Sequence, residues 1–177
     1  NFHSWDEVGR WYEDLQRDRV KATPEIQAKA WQLTKGASDD DAKLRAIYKY
    51  VSTEFHYIGI AFGIGRYQPH SAEEVLANQY GDCKDKHTLL ASLLTAAGFK
   101  VYPALISTSH QLDPDIPSPA QFDHVITFVQ RGTDVLWLDS TPEVGPFGYL
   151  ISPLWGKQAL VVHGDNPASL ITTPADP

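Results

Sequence analysis

The sequence predicts an α+β fold, with N-terminal helices and a cysteine-bearing core helix packed on an antiparallel β-sheet. Three observations carry this reading. Apolar residues recur at helical spacing from the N-terminus to Ala97. After Gly98 the period changes to short β-branched or aromatic runs separated by turn residues. Helices therefore precede strands instead of alternating with them, which separates α+β from α/β architectures.

Three helices are expected before residue 60. Ser4 and Glu7 have the spacing of a capping box, and Trp5, Val8, Trp11, Tyr12 and Leu15 form an apolar face behind them. Thr23-Pro24 reads as an N-cap with proline at the first helical position, Ile26, Ala30 and Leu33 share a face, and Gly36 is the stop. Ser38 opens the third helix, whose stripe is Leu44, Ile47, Tyr48, Val51 and Phe55. The tryptophans and tyrosines of this region are assigned to the core.

Gly59, Gly63 and Gly65 then interrupt the pattern and read as a flexible loop, since Gly-x-Gly lacks a strand-to-helix fingerprint around it. Ser71 and Glu74 form another capping box, for a short helix ending near Asn78. From Lys84 to Ala97, Leu89, Leu90, Leu93 and Leu94 recur at helical spacing, and Gly98 ends the run. This helix is expected to be the most buried, with Cys83 at its head.

Strands are expected over 101–106, 125–129, 135–138 and 159–162. Residues 107–121 are polar with three prolines and too long for an ordinary hairpin loop, and segments of this length are often functional or mobile. A border position on the cleft is expected for this loop. The tail over 166–177 has little to pack and is expected to fray.

A chain of 177 residues with 42% hydrophobic content suits one domain with a sizeable core, so 1–177 is read as a single domain. With 22 acidic against 15 basic residues and a formal charge of -7, the chain lacks the clustered cations of a nucleic-acid footprint. No apolar run approaches the ~18 residues a membrane helix needs, so no membrane segment is expected in this chain. The absence of Met points to an excised or processed piece of a longer protein. One cysteine allows no internal disulfide and leaves the compartment open, a periplasmic or other extracytoplasmic one included.

That lone cysteine lies in Tyr80-Gly81-Asp82-Cys83-Lys84-Asp85-Lys86. A helix N-terminus offers unpaired N–H groups and the positive end of the macrodipole, both of which favour a thiolate. A thiolate nucleophile needs a base and a group to orient that base. His124 opens one strand and Asp139 ends the next, and the turn Arg131-Gly132-Thr133-Asp134 joins them. A two-residue turn at Gly132-Thr133 sets Arg131 opposite Asp134, Ile126 opposite Asp139 and His124 opposite Thr141. His124 and Asp139 then become diagonal neighbours on one face, with α-carbons about 7–8 Å apart. One residue more or less in the turn would put them on opposite faces.

Competing chemistries are weaker. Cys83, Asp85 and His87 have ligand-like spacing, but structural zinc usually takes two or more cysteines and catalytic zinc three good ligands. A serine hydrolase elbow, Gly-x-Ser-x-Gly, does not occur. The acidic residues form no evident oxygen-ligand loop for calcium.

The sequence Tyr80-Gly81-Asp82-Cys83-Lys84-Asp85, the Leu89-Leu90 and Leu93-Leu94 pairs, Ala97-Gly98, Phe122-Asp123-His124-Val125 and Trp137-Leu138-Asp139-Ser140-Thr141 together resemble the bacterial branch of the transglutaminase-like superfamily, which shares papain-like Cys-His-Asp logic. The resemblance spans roughly residues 40–142, leaving 1–37 as a helical lead-in. It implies Cys83 as nucleophile, His124 as general base and acid, and Asp139 as the residue orienting the imidazole. It also implies acyl transfer on a peptide or carboxamide carbonyl through a thioester, with no cofactor and a peptide or protein substrate. The alternative is a catalytically silent module of the same fold used for binding or scaffolding. In similar bacterial proteins the module often follows a separate β-rich domain. For the oxyanion, the backbone amide of Cys83 is the first expected donor. Gln68 is the candidate second donor, with Tyr67 or plain solvent-facing loop structure as the other readings.

Overall fold

Helix-capping chemistry sets the first half of the chain. The computed structural model describes residues 1–59 and 67–176. Helix α1 (Trp5–Gln16) starts where the Ser4 hydroxyl accepts the Glu7 amide, while the Glu7 carboxylate accepts the His3 amide at 2.8 Å and so completes only half of the expected box. Helix α2 (Pro24–Thr34) begins at Thr23 with proline inside its first turn. Helix α3 (Asp40–Glu54) is capped by Asp39, not Ser38, because the Asp39 carboxylate takes the Ala42 amide at 2.8 Å. Helix α4 (Ala72–Asn78) carries the complete Ser71–Glu74 box. The glycine-loop reading at Gly63 and Gly65 lies outside the described residues. A two-residue parallel pair, β1 (His56–Tyr57) with β2 (Tyr80–Gly81), was not anticipated and brings the end of α3 beside the approach to Cys83.

Helix α5 (Cys83–Ala96) is the centre of the molecule. Every residue from Cys83 to Leu94 is buried, so the helix contacts protein on all sides. It packs against α2, α3 and α4 on one side and against β3 (Lys100–Ile106) and β4 (His124–Arg131) on the other. Burial of Leu89, Leu90, Leu93 and Leu94, each shielded from solvent, contributes about 2 kcal/mol apiece. They join Ile26, Leu44, Ile47, Val51, Phe55, Val129 and Leu138 in one cluster. Trp31 departs from the core assignment and is 67% exposed on α2.

The sheet runs β5-β4-β3-β6-β7, antiparallel throughout, with β5 (Asp134–Leu138), β6 (Gln158–Val161) and β7 (Ser169–Thr172) completing it. The β4–β5 turn has Gly132 at φ +61°, the conformation that a II′ hairpin requires at its first central residue. The register follows: Arg131 pairs with Asp134, Gln130 with Val135 and Thr127 with Leu138. The 107–121 loop is tied at several points. The Trp5 indole N–H donates to the Pro114 carbonyl, Gln121 exchanges hydrogen bonds with Asp113, and residues 119–121 form a short 3-10 turn. No helix among the described residues is long and apolar enough to cross a membrane.

The tail over 166–177, expected to fray, instead supplies β7 up to Thr172. Two contacts explain it. A Cβ on Gly9 would collide with the Cβ of Ala168, so α1 and the tail approach to backbone distance, and the Ala168 amide donates to Asp6. Thr173, also buried, donates its amide to the Lys157 carbonyl at 2.8 Å.

Deleting residues 167–177 should therefore lower the urea midpoint clearly, because it leaves β6 as an edge and uncovers the α1 face at Gly9. A midpoint equal to that of the full chain would show that β7 carries no stability.

Candidate active site

The approach to Cys83 is shaped by close packing. Gln79 closes α4 in the left-handed region, at φ 60°, and its carbonyl accepts the His56 amide. Gly81 follows, where a Cβ would lie 2.5 Å from the Cβ of Asp85. Any side chain there would displace Asp85 from the helix cap. Asp82 is the N-cap: its carboxylate accepts the Asp85 amide at 3.1 Å, and the Asp85 carboxylate accepts the Asp82 amide at 3.2 Å. The box uses the third amide of the helix and leaves those of Cys83 and Lys84 without an acceptor among the described residues. Cys83 occupies the first helical position and is 6% exposed.

The charged residues around it are paired. Lys84 donates to Asp82. Burial raises the Asp82 carboxyl above its ordinary range despite that partner. Asp85 also accepts the His70 amide at 2.8 Å and faces the His70 ring at 3.2 Å. Lys86, fully buried, donates to the carbonyls of Ser52 (3.2 Å) and Phe55 (2.8 Å) at the end of α3, and burial lowers its pKa to about 8. His87, part of the ligand-like spacing with Cys83 and Asp85, instead directs Nδ1 to the Thr127 hydroxyl on β4 at 2.7 Å, and burial drives its pKa down to about 3.

The hairpin brings His124 and Asp139 together as its register requires. The His124 Nε2–H donates to Asp139 Oδ2 at 2.8 Å, and both residues are buried. A carboxylate only accepts, so the proton lies on Nε2. Nδ1 is then the ring nitrogen left to face the Cys83 thiol, which lies close enough to help raise the imidazole pKa. Burial alone would lower the imidazole pKa, but the Asp139 charge and hydrogen bond, with Cys83 adding to them, raise it to about 10. Conversely, burial pushes the Asp139 carboxyl up, and His124 and the Thr141 amide outweigh that effect and hold it below its ordinary value. The neighbouring Asp123 is likewise held low, against burial, by hydrogen bonds from Thr108 and Ser109.

Gln68 is exposed and makes no hydrogen bond among the described residues. It stands between two anchored neighbours: Tyr67 packs its ring on Trp11 at 5.0 Å and bonds to the Pro119 carbonyl, and Pro69 is buried. Tyr48 of α3 is a participant that periodicity assigned only to the core. Its hydroxyl lies 3.1 Å from the Asp139 carbonyl and 3.0 Å from that of Gly145. No sequence signal distinguishes this hydroxyl from that of an ordinary core tyrosine.

The chain resembles known proteins in family and in fold. A family model described as the transglutaminase-like superfamily matches residues 27–125, more than half of the chain, a span that includes Cys83 and His124 and ends before Asp139. No curated protein matches the chain. A candidate protease from Parabacteroides distasonis superposes with a TM-score of 0.73 at 18% identity over 99% of this chain and 32% of its own. A candidate cysteine protease from Cytophaga hutchinsonii gives 0.54 at 15% identity over 88% of this chain and 56% of its own. The chain thus spans about a third and about half of these structures, and at such identities the likeness is one of fold.

The opposite shifts of His124 and Asp139 fix a sign. A raised imidazole pKa stabilises the fold fully below the ordinary 6.5 and fades as pH rises to about 10, while the depressed carboxyl contributes above 3.8 and is lost on acidification. Lys86 acts oppositely, since its burial penalty is relieved between about 8 and 10.5. Because Lys86 is common to both proteins, the urea-midpoint gap between the native chain and Asp139→Asn should be widest near pH 6 and narrow toward pH 10. A gap independent of pH would contradict the charged pair.

Proposed function

The chain belongs to the transglutaminase-like superfamily, and from that premise we propose a cysteine-dependent acyl-transfer enzyme acting on a peptide or carboxamide carbonyl. The observation that carries the reading is the orientation of His124, with Nε2 given to Asp139 and Nδ1 left to the Cys83 thiol. In this reading Cys83 is the nucleophile, His124 the proton carrier and Asp139 the group that fixes the tautomer and supports the imidazolium.

The thiol proton resides on Nδ1, and the Cys83 sulfur attacks the carbonyl carbon. A C–S bond forms and the carbonyl π pair moves to oxygen. The backbone N–H of Cys83, without an internal acceptor, is the first donor to that oxyanion, and Gln68 is retained as the candidate second. Collapse breaks the C–N bond, with the Nδ1 proton passing to the departing amine, and leaves a thioester. Water or an amine acceptor then attacks, gives its proton back to Nδ1, and the C–S bond breaks. The chain's own residues complete this cycle without a cofactor. The same chemistry serves hydrolysis or transamidation, the difference being which acceptor reaches the thioester first. The substrate class is a peptide or protein bearing an amide carbonyl, and the longer protein to which such a module belongs supplies the setting.

Incubation with a mixed peptide and carboxamide library, acid quenching and intact mass spectrometry should detect an acyl adduct on Cys83 whose mass identifies the acyl group. Cys83→Ala should abolish it, and His124→Ala and Asp139→Ala should each slow its formation by about 10²–10⁴-fold. Adduct formation undiminished in the His124 variant would assign the base to another residue. No adduct with any substrate, in a folded protein, would favour a binding or scaffold module.

A further inference from the structure

Asp139 stands where the sheet no longer supports it. Strand β5 is an edge strand, and its ladder with β4 ends at the pair Thr127–Leu138, one residue earlier. The Asp139 carboxylate has its partners, His124 at Oδ2 and the Thr141 amide at Oδ1, but both of these fix the side chain. What fixes the backbone is the hydroxyl of Tyr48, delivered from α3, 3.1 Å from the Asp139 carbonyl. The same hydroxyl lies 3.0 Å from the Gly145 carbonyl of the strap that follows Asp139, so its single proton is shared between the two carbonyls and ties them together.

This hydroxyl is built in, not incidental. Tyr48 is 3% exposed and its ring packs edge-on against Phe147 of the strap, with centroids 5.5 Å apart. The strap comes close enough that a Cβ on Gly145 would stand 3.3 Å from both the Tyr48 oxygen and Pro142 Cβ. The end of α3 is in turn locked to the cysteine helix by Lys86, through the carbonyls of Ser52 and Phe55. Helix α3 thus holds the head of α5 at one end and the Asp139 backbone in its middle. Burial raises the phenol pKa to about 12, so the donor keeps its proton over the working range.

We infer that Tyr48 is a positioning residue for the catalytic unit: its hydroxyl holds the Asp139 backbone so that the carboxylate stays on Nε2 of His124 and Nδ1 stays on the Cys83 sulfur. The inference rests on the reading of Cys83, His124 and Asp139 as that unit. Tyr48 touches neither the substrate nor the reacting atoms and acts only through Asp139. Without the hydroxyl, the residue beyond the ladder gains freedom and the carboxylate's hold on the imidazole weakens. A tyrosine serving the core alone would lose stability on substitution and leave the imidazole unaffected.

Tyr48→Phe deletes only the oxygen. The first readout is the titration of His124, followed by NMR of ¹⁵N-labelled full chain without substrate, so it does not depend on turnover being found. Its midpoint should fall by about one pH unit, the equivalent of one hydrogen bond of ordinary strength. The second readout, on any substrate the adduct screen provides, is a two- to tenfold fall in kcat, in the range of about one hydrogen bond, with KM unchanged. Gly145→Ala, which keeps the ring and crowds its hydroxyl, should move the titration in the same direction and covers the case of a Phe variant that does not fold. A His124 midpoint unchanged in both variants, with only the unfolding midpoint lowered, would overturn the inference. A shifted midpoint in a protein that forms no acyl adduct would support the positioning role and tell against the enzyme reading instead.

Discussion

From Asp82 to His87 every residue at the head of α5 is buried, and all but Cys83 carry a polar or charged side chain. Buried polar groups have to be hydrogen-bonded, and buried charges paired, or the fold loses several kcal/mol at each. This constraint organises the molecule. Asp82 is met by Lys84, Asp85 by the His70 segment, Lys86 by the end of α3 and His87 Nδ1 by Thr127 of β4, while His87 Nε2 has no partner among the described residues. The elements that surround the cysteine are therefore attached to its own helix turn, so the same bonds that satisfy the buried head also set where the thiol stands.

Electrostatics at the site is a contest between burial and partners, and the outcome differs by residue. For His87 and Lys86, burial wins and the neutral form is favoured relative to the free side chain. For His124 and Asp139 the mutual attraction wins, because the two are in direct contact at 2.8 Å inside a region that excludes water. Two histidines one helix and one strand apart are thus driven in opposite directions. Only the one with a carboxylate on its far nitrogen holds its charge, and it is the one that meets the thiol.

Much of this was legible before any coordinates. The hairpin register followed from Gly132-Thr133, because a two-residue turn leaves a single pairing and side-chain alternation does the rest. The buried helix followed from its leucines, and the head position of Cys83 from the glycine that precedes the cap. Other features had no local signature. Strand β7 is short and polar at its ends, and its existence depends on the approach of Gly9 to Ala168, which are distant in sequence. Lys84 looks like a solvent-facing charge until it is seen folded back onto Asp82, and Lys86 until its partners at the end of α3 are known. Tyr48 sits on an apolar stripe at helical spacing, which describes its ring correctly and says nothing of its hydroxyl. Gln68 is singled out in the sequence only by its position upstream of the cysteine, and its exposed side chain is held only through its neighbours.

In the proposed mechanism Cys83 and His124 share a proton, with His124 holding it. The rate of Cys83 alkylation by iodoacetamide as a function of pH tests this most directly. The paired site predicts a rate already high below neutral pH and a loss of that low-pH reactivity in His124→Ala. Reactivity that rises only around the ordinary thiol value of about 8.5, alike in the native chain and the variant, would contradict it.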